Sequence, residues 1–150
     1  NYPVQYEYDE YGRLKYMCTY REGTGWDGAD WPENAVCTDK TEWIYDPDTG
    51  LLEAKKDAKS KSVSYTYKPG GKLETRTWAR GSGSIITTGS GSIVTTYTYD
   101  PKTAEMLNID YSDTTPDIRF TYDRLGRQKT ITDAVGTRTF SYNPDTLALH

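Results

Sequence analysis

The chain has 150 residues, the size of one domain, and a formal charge of −4 from 18 basic and 22 acidic residues scattered along its length. No basic stripe exists to neutralise phosphates, which excludes nucleic acid as a partner. No apolar run approaches the ~20 residues that span a bilayer, which excludes a membrane span. The opening residues NYPVQYEYDE lack the basic start and apolar middle of a signal peptide, so the chain reads as a mature protein or a fragment. Only 35% of residues are hydrophobic, and fourteen tyrosines and four tryptophans supply much of that share. The expected core is therefore shallow and aromatic. Twenty-two threonines favour strands, and no segment holds a 3.6-residue apolar period, so an all-β fold with little or no helix is expected.

The first predicted element is YEYDEYGRL from Tyr6. Tyr6 and Tyr8 are two apart, so in a strand both rings point to one face and Glu7 to the other. Asp9 can bond backbone amides and start a turn, Gly12 supplies the positive φ that closes it, and Leu14 opens a returning strand. An insertion over 17–42 follows and carries Cys18 and Cys37, the only cysteines. It also holds Trp26 and Trp31 among glycines and the acids Asp27, Asp30 and Glu33. Two readings stand for these rings: a lid over the open edge of the hairpins, or a surface that stacks on a sugar while the acids bond its hydroxyls. The acid spacing lacks the alternating oxygens and distal glutamate of an EF-hand loop, so calcium is not expected.

The second hairpin, WIYDPDTGLL, supplies Trp43, Tyr45, Asp46 and Gly50, and the third, YTYKPGGKL, supplies Tyr65, Tyr67 and Gly71. A second insertion over 81–96 holds GSIITT and its near copy GSIVTT. The segment reads as a short extra hairpin of Ile85, Ile86, Ile93 and Val94 around Gly89 to Gly91. The fourth, fifth and sixth hairpins are YTYDPKTAEM with Tyr97, Tyr99 and Asp100, FTYDRLGRQ with Phe120, Tyr122, Asp123 and Gly126, and FSYNPDTLAL with Phe140 and Tyr142. Ala104 and Leu147 fall near the glycine position, so those two turns are expected to be wider or differently bent.

The second rings of the six pairs stand 37, 22, 32, 23 and 20 residues apart, a period of 20 to 23 broken by the two insertions. This pattern, Y-x-Y-D-x-x-G-R-L and a returning strand, resembles the YD repeat of RHS proteins, teneurins and the shell components of insecticidal toxin complexes. The copies at Tyr6 and Phe120 match best. The resemblance implies one YD-repeat domain over 1–150, a β-hairpin ribbon wound into a spiral, an extracellular or secreted location, and no chemistry of its own. In a secreted protein the pair Cys18 and Cys37 is most simply a disulfide that stabilises by about 3 kcal/mol. Two buried free thiols are the alternative.

A single hairpin cannot bury its aromatic face, so stability is expected from stacking on neighbours. The returning strand 147–150 looks unfinished, which makes Leu147 and Leu149 candidate assembly residues. Expected partners are copies of the chain or flanking YD repeats through open strand edges, and, on the sugar reading of Trp26 and Trp31, glycans. Catalysis is not expected. The only histidine is His150 at the end of the sequence, a poor place to hold a base. The acids sit at turn starts or on exposed strand faces. Proteins with this resemblance can carry a self-cleaving protease marked by paired DPxG motifs, but Asp46-Pro47-Asp48-Thr49-Gly50 has one residue too many. The implied function is a structural scaffold, part of a secreted shell or a self-assembling fibre. The alternative is an adhesion module that binds carbohydrate or a cell surface through Trp26 and Trp31. No cofactor or metal is expected.

Overall fold

The structure, a computed structural model, describes residues 3–21, 35–81 and 92–150. The described residues form eleven strands and no helix. In order these are β1 (Val4–Tyr8), β2 (Leu14–Thr19), β3 (Asp39–Tyr45), β4 (Leu52–Lys56), β5 (Ser62–Tyr67), β6 (Leu73–Gly81), β7 (Ser92–Tyr99), β8 (Met106–Tyr111), β9 (Ile118–Tyr122), β10 (Gln128–Asp133) and β11 (Gly136–Thr139). They follow chain order in one antiparallel sheet, so each strand pairs with its sequence neighbours. By packing, the chain forms two compact units: Asn1–Tyr65 with Trp78–Ser92, and Thr66–Thr77 with Ile93–His150.

In the first unit, strand alternation places Tyr6, Met17 and Thr41 in one cross-strand row and Trp43, Lys55 and Val63 in another. Glu7, Tyr16, Glu42, Lys56 and Ser62 line the opposite face. In the second unit, Tyr97, Ile109 and Ile118 form a row, as do Phe120, Ile131 and Arg138. Threonines and polar groups occupy the other side, where Thr121 and Thr130 are hydrogen-bonded at 2.6 Å. These rows are what a period of two requires of the aromatic-x-Tyr pairs.

The expectation of an aromatic core needs correction. Among the described residues the buried hydrophobic side chains are Cys18 and Tyr20, at 1% and 5% exposure. Both follow the parity of Tyr16, on the face opposite the Tyr6 row. The repeat rings Trp43, Tyr45, Tyr65, Tyr67, Tyr97, Tyr99, Phe120, Tyr122, Phe140 and Tyr142 are half-buried, while Tyr6 and Tyr8 are 53% and 58% exposed. Within a unit the rings are covered by neighbours along the sheet, and among the described residues β1 is paired with β2 alone.

Cys18 and Cys37 form a disulfide with a Cα–Cα distance of 5.7 Å. Asp39 closes the neck of the loop by pairing with Thr19 and by an ion pair with Arg21. Ile93 and Val94 lie inside β7, which they lengthen rather than forming a separate strand piece. Ile85 and Ile86 lie outside the described residues.

The six repeat turns come in two widths. At 9–13, 68–72 and 123–127 the first residue's N–H donates to the carbonyl four residues on, at 2.8–2.9 Å. At 46–51, 100–105 and 143–148 it reaches five residues on, at 2.8–2.9 Å. Narrow and wide turns alternate along the chain.

Local chemistry sets the width. In the narrow turns, Asp9 and Asp123 Oδ1 accept from the amides two and four residues on, Tyr11 and Arg13 or Leu125 and Arg127. In the wide turns, Asp46, Asp100 and Asn143 hold the amides two and three residues on, after a proline that fixes φ. The chain then makes one helix-like turn before it returns, as the Gly50, Ala104 and Leu147 amides donate back to residues 46, 100 and 143. Width therefore follows the Asx-Pro-x-Thr sequence, and the Gly50 turn belongs with those of Ala104 and Leu147.

Ala104 and Leu147 occupy the glycine position at φ 63° and 59°. Leu147 is thus a turn residue, not the start of a returning strand; Leu149 is the residue that bridges to Tyr142. The left-handed conformation costs a side-chain-bearing residue about 1–2 kcal/mol, partly offset by glycine's greater freedom when unfolded. Ala104→Gly is accordingly expected to stabilise the chain by about 0.5–1 kcal/mol, read as a rise in the urea midpoint at constant slope.

A further narrow turn at 57–61 joins β4 to β5, with Asp57 accepting from the Lys59 and Lys61 amides and Ser60 at φ 61°.

Candidate functional site

The recurrent constellation in this chain is a clasp between one hairpin and the next. Its first part is a hydroxyl bond. The second tyrosine of a hairpin stands opposite the first residue of its own returning strand, as in Tyr45 with Leu52 and Tyr99 with Met106. Its hydroxyl donates to the carbonyl of the equivalent residue in the preceding hairpin. Tyr45 reaches Leu14 at 3.0 Å, Tyr99 reaches Leu73 at 3.0 Å, Tyr122 reaches Met106 at 2.9 Å and Tyr142 reaches Gln128 at 2.8 Å. A half-buried phenol thereby satisfies both its own hydroxyl and a main-chain carbonyl.

The second part is a cation. Each narrow turn carries one directly after its glycine, and that cation lies over the tyrosine ring of the following wide-turn hairpin. Arg13 sits 4.4 Å from the Tyr45 centroid, Lys72 sits 4.9 Å from Tyr99 and Arg127 sits 4.2 Å from Tyr142. Arg13 Nη1 also donates to the Gly50 carbonyl at 3.2 Å, and Lys72 Nζ donates to Ala104, the equivalent residue. Both arginines are oriented from behind by the turn aspartate, Arg13 Nε to Asp9 at 2.7 Å and Arg127 Nε to Asp123 at 2.8 Å. In the third pair Arg127 Nη1 is buried with no acceptor in reach.

One aspartate therefore starts the turn and aims the arginine, which stacks on the next ring. Asp123 is held below its ordinary value chiefly by the Arg127 side chain, and Asp46 and Asp100 chiefly by the Thr49 and Thr103 amides. For Asp9, desolvation is the largest single effect and raises it, but bonds from Arg13 and Tyr11 outweigh this and lower it. Desolvation raises Tyr99 and Tyr122, and for Tyr122 the Glu105 charge adds to it.

The signs define a window. Depressed aspartates contribute stability above their unfolded value near pH ~4, and that stability is lost as pH falls through the lower folded values. Raised tyrosines contribute it below pH ~10, and it is lost as pH rises through their folded values. Stability is expected to be flat between these limits and to fall on both sides. Asp123→Asn should flatten the acid limb in pH-dependent urea unfolding.

The sequence-predicted turn residues have their places. Asp9, Gly12, Asp46, Gly50, Gly71, Asp100, Asp123 and Gly126 occupy the turns, with all the named glycines at positive φ. Leu147 and Leu149 are 54% and 59% exposed. Trp26 and Trp31 lie outside the described residues, as do Asp27, Asp30 and Glu33. Among the described residues no group of three or more His, Cys, Asp or Glu could hold a metal, and no helix is long and apolar enough to cross a membrane. An open pocket of about 290 Å³ in the first unit is lined by Met17, Thr19 and Thr41 with the charges of Arg21, Asp39, Lys40, Asp57 and Lys59. Sequence reasoning missed the cations Arg13, Lys72 and Arg127. Their signal was visible as Gly followed by Arg or Lys in the first, third and fifth copies only.

No protein-family model matches the chain, and no curated protein matches it. Solved structures do. The crystal structure of TcdB2-TccC3-TEV is 20% identical with a TM-score of 0.41, the match covering 93% of this chain and 8% of that one. That of TcdB2-TccC3 is 20% identical with a TM-score of 0.38, covering 90% and 8%. The Photorhabdus luminescens Tc holotoxin pore is 20% identical with a TM-score of 0.37, covering 87% and 8%. This chain thus spans about a twelfth of the length of the chains it is similar to.

Proposed function

We propose that the chain is a non-enzymatic repeat scaffold of the YD type, with residues 1–150 acting as one repeat domain in a secreted shell or a self-assembling extracellular fibre. The observation that carries this reading is the clasp. The same hydroxyl-to-carbonyl bond recurs at Tyr45, Tyr99, Tyr122 and Tyr142, and the same cation-over-ring contact recurs at Arg13, Lys72 and Arg127. A device that recurs between successive hairpins, made of turn and ring residues alone, serves stacking. Stability in such arrays is a sum of nearest-neighbour terms, which suits a wall or a rod. The partners on this reading are flanking repeats or further copies of the chain.

Negative-stain electron microscopy of the concentrated chain, with sedimentation velocity alongside, tests the assembling version. Rods or shells larger than a single 17.0 kDa chain are the expected result. A strictly monomeric species, with amides of β1 and of 147–150 exchanging freely at all concentrations, would remove self-assembly and leave a segment that works only between flanking repeats.

A further inference from the structure

The disulfide of the first unit joins two unlike cysteines. Cys18 lies inside β2, with Gln5 of β1 opposite it on one side and Lys40 of β3 on the other. It is 1% exposed, and Tyr20, two residues on and on the same face, is 5% exposed. Cys37 lies in the irregular stretch 35–38 ahead of β3, where Val36, Cys37 and Thr38 are all exposed, Val36 to 70%. One half of the bond is walled in by strands and the other stands at the surface.

Disulfide exchange needs a thiolate to approach one sulfur in line with the bond, from the side away from the sulfur that departs, so access decides which sulfur is attacked. Strands β1 and β3 flank Cys18, whereas Cys37 is reached from solvent. Breaking the bond does not release β3, because Thr19 pairs with Asp39 and Arg21 holds Asp39 in an ion pair, both independent of the sulfurs. The departing Cys18 sulfur takes a negative charge in a buried place, and Lys40, its direct cross-strand partner, is the cation in register with it. Lys40 Nζ lies 4.1 Å from the Tyr16 ring centroid, which keeps that cation on the Cys18 face.

We infer that Cys37 is a thiol-exchange site, where a low-molecular-weight thiol is attached reversibly as a mixed disulfide and Cys18 is the resolving cysteine. The thiol gives its proton to solvent and its sulfur bonds to Cys37 Sγ. The bond between the two cysteines breaks with its electron pair on Cys18 Sγ. In the return step that thiolate attacks Cys37 Sγ and expels the added thiol, which takes back a proton. One disulfide replaces another, so nothing is oxidised or reduced overall. The closed neck of the loop keeps the resolving sulfur near Cys37 throughout. The inference does not depend on the scaffold reading.

The test incubates the full disulfide-intact chain with excess glutathione in native buffer, quenches in acid, digests with pepsin and maps the unreduced peptides by mass spectrometry. The expected result is glutathione on Cys37 and a free thiol at Cys18, favoured over the reverse by about tenfold or more. Lys40→Met should slow adduct formation about threefold and leave the adduct on Cys37. In single-cysteine variants that keep amide protection in β2 and β3, Cys37 of Cys18→Ser should react with a chromogenic disulfide about a hundredfold faster than Cys18 of Cys37→Ser. An even split of the adduct, or one mainly on Cys18, would overturn the inference. So would equal reactivity in the protected single-cysteine variants. Adduct forming no faster than the β2 and β3 amides exchange would place the reaction in the unfolded chain and overturn it as well. An unchanged rate in Lys40→Met would overturn the part given to Lys40.

Discussion

Replacing Cys18 and Cys37 together by alanine is expected to lower the stability of the chain by about 3 kcal/mol, the loop-closure term for a cross-link of this span. The two cysteines are 19 residues apart, and their bond joins β2 to the segment entering β3. In the folded chain the same loop is already closed by the Thr19–Asp39 pairing and the Arg21–Asp39 ion pair. The cross-link therefore acts mainly on the unfolded ensemble, and the native pairing should survive its removal. Hydrogen exchange should show lost protection in β2 and β3 with β9 and β10 little changed. Chemical denaturation should show a lower midpoint in the reduced or doubly substituted protein. An unchanged midpoint would mean that residual contacts already restrict the loop in the unfolded chain.

Arg13→Ala should cost about 2 kcal/mol. The expected loss combines a partly desolvated cation over the Tyr45 ring, worth about 0.5–2 kcal/mol, with a charged hydrogen bond to Gly50, worth about 1.5–3 kcal/mol when fully formed. At 3.2 Å that bond is long, which favours the lower part of the range. The decisive measurement is a double-mutant cycle with Tyr45→Leu, which removes the ring. Coupling of about 1 kcal/mol is expected because the residues touch, whereas Arg13→Ala with Tyr142→Leu, in different units, should be additive. Arg13→Lys should recover part of the loss, since Lys72 fills the same place over Tyr99. Additivity between Arg13 and Tyr45 would show that the cation stabilises its own turn alone.

Much of the hairpin architecture was legible because period-two aromatics, Asx turn starters and glycines at fixed offsets are local signals. Asp46 and Asp123 hold their turn amides as their positions suggest. Turn width was less legible. It depends on which amides the Asx oxygen captures, so Gly50 misled by sharing its residue type with the narrow turns and its geometry with Ala104. Ser60 was missed for the converse reason: the turn at 57–61 has the left-handed position but no glycine to mark it. The aromatic core was overstated because parity assigns a face without saying what covers it, and coverage of Tyr6 and Tyr8 depends on a neighbour across β1. The cations were invisible as a site because each acts on a ring 32, 27 or 15 residues away, a relation that only the sheet order reveals.

The alternation of narrow and wide turns makes a couple of hairpins, not one, the interchangeable module of this chain. A narrow member gives a cation and the wide member that follows receives it, at Arg13 with Tyr45, Lys72 with Tyr99 and Arg127 with Tyr142, each couple lying within one compact unit. Excising a narrow-turn hairpin would set two wide-turn hairpins side by side, leaving a ring without its cation. Lengthening or shortening by couples leaves every junction of a kind already present. Such a chain is built to vary its length in even steps.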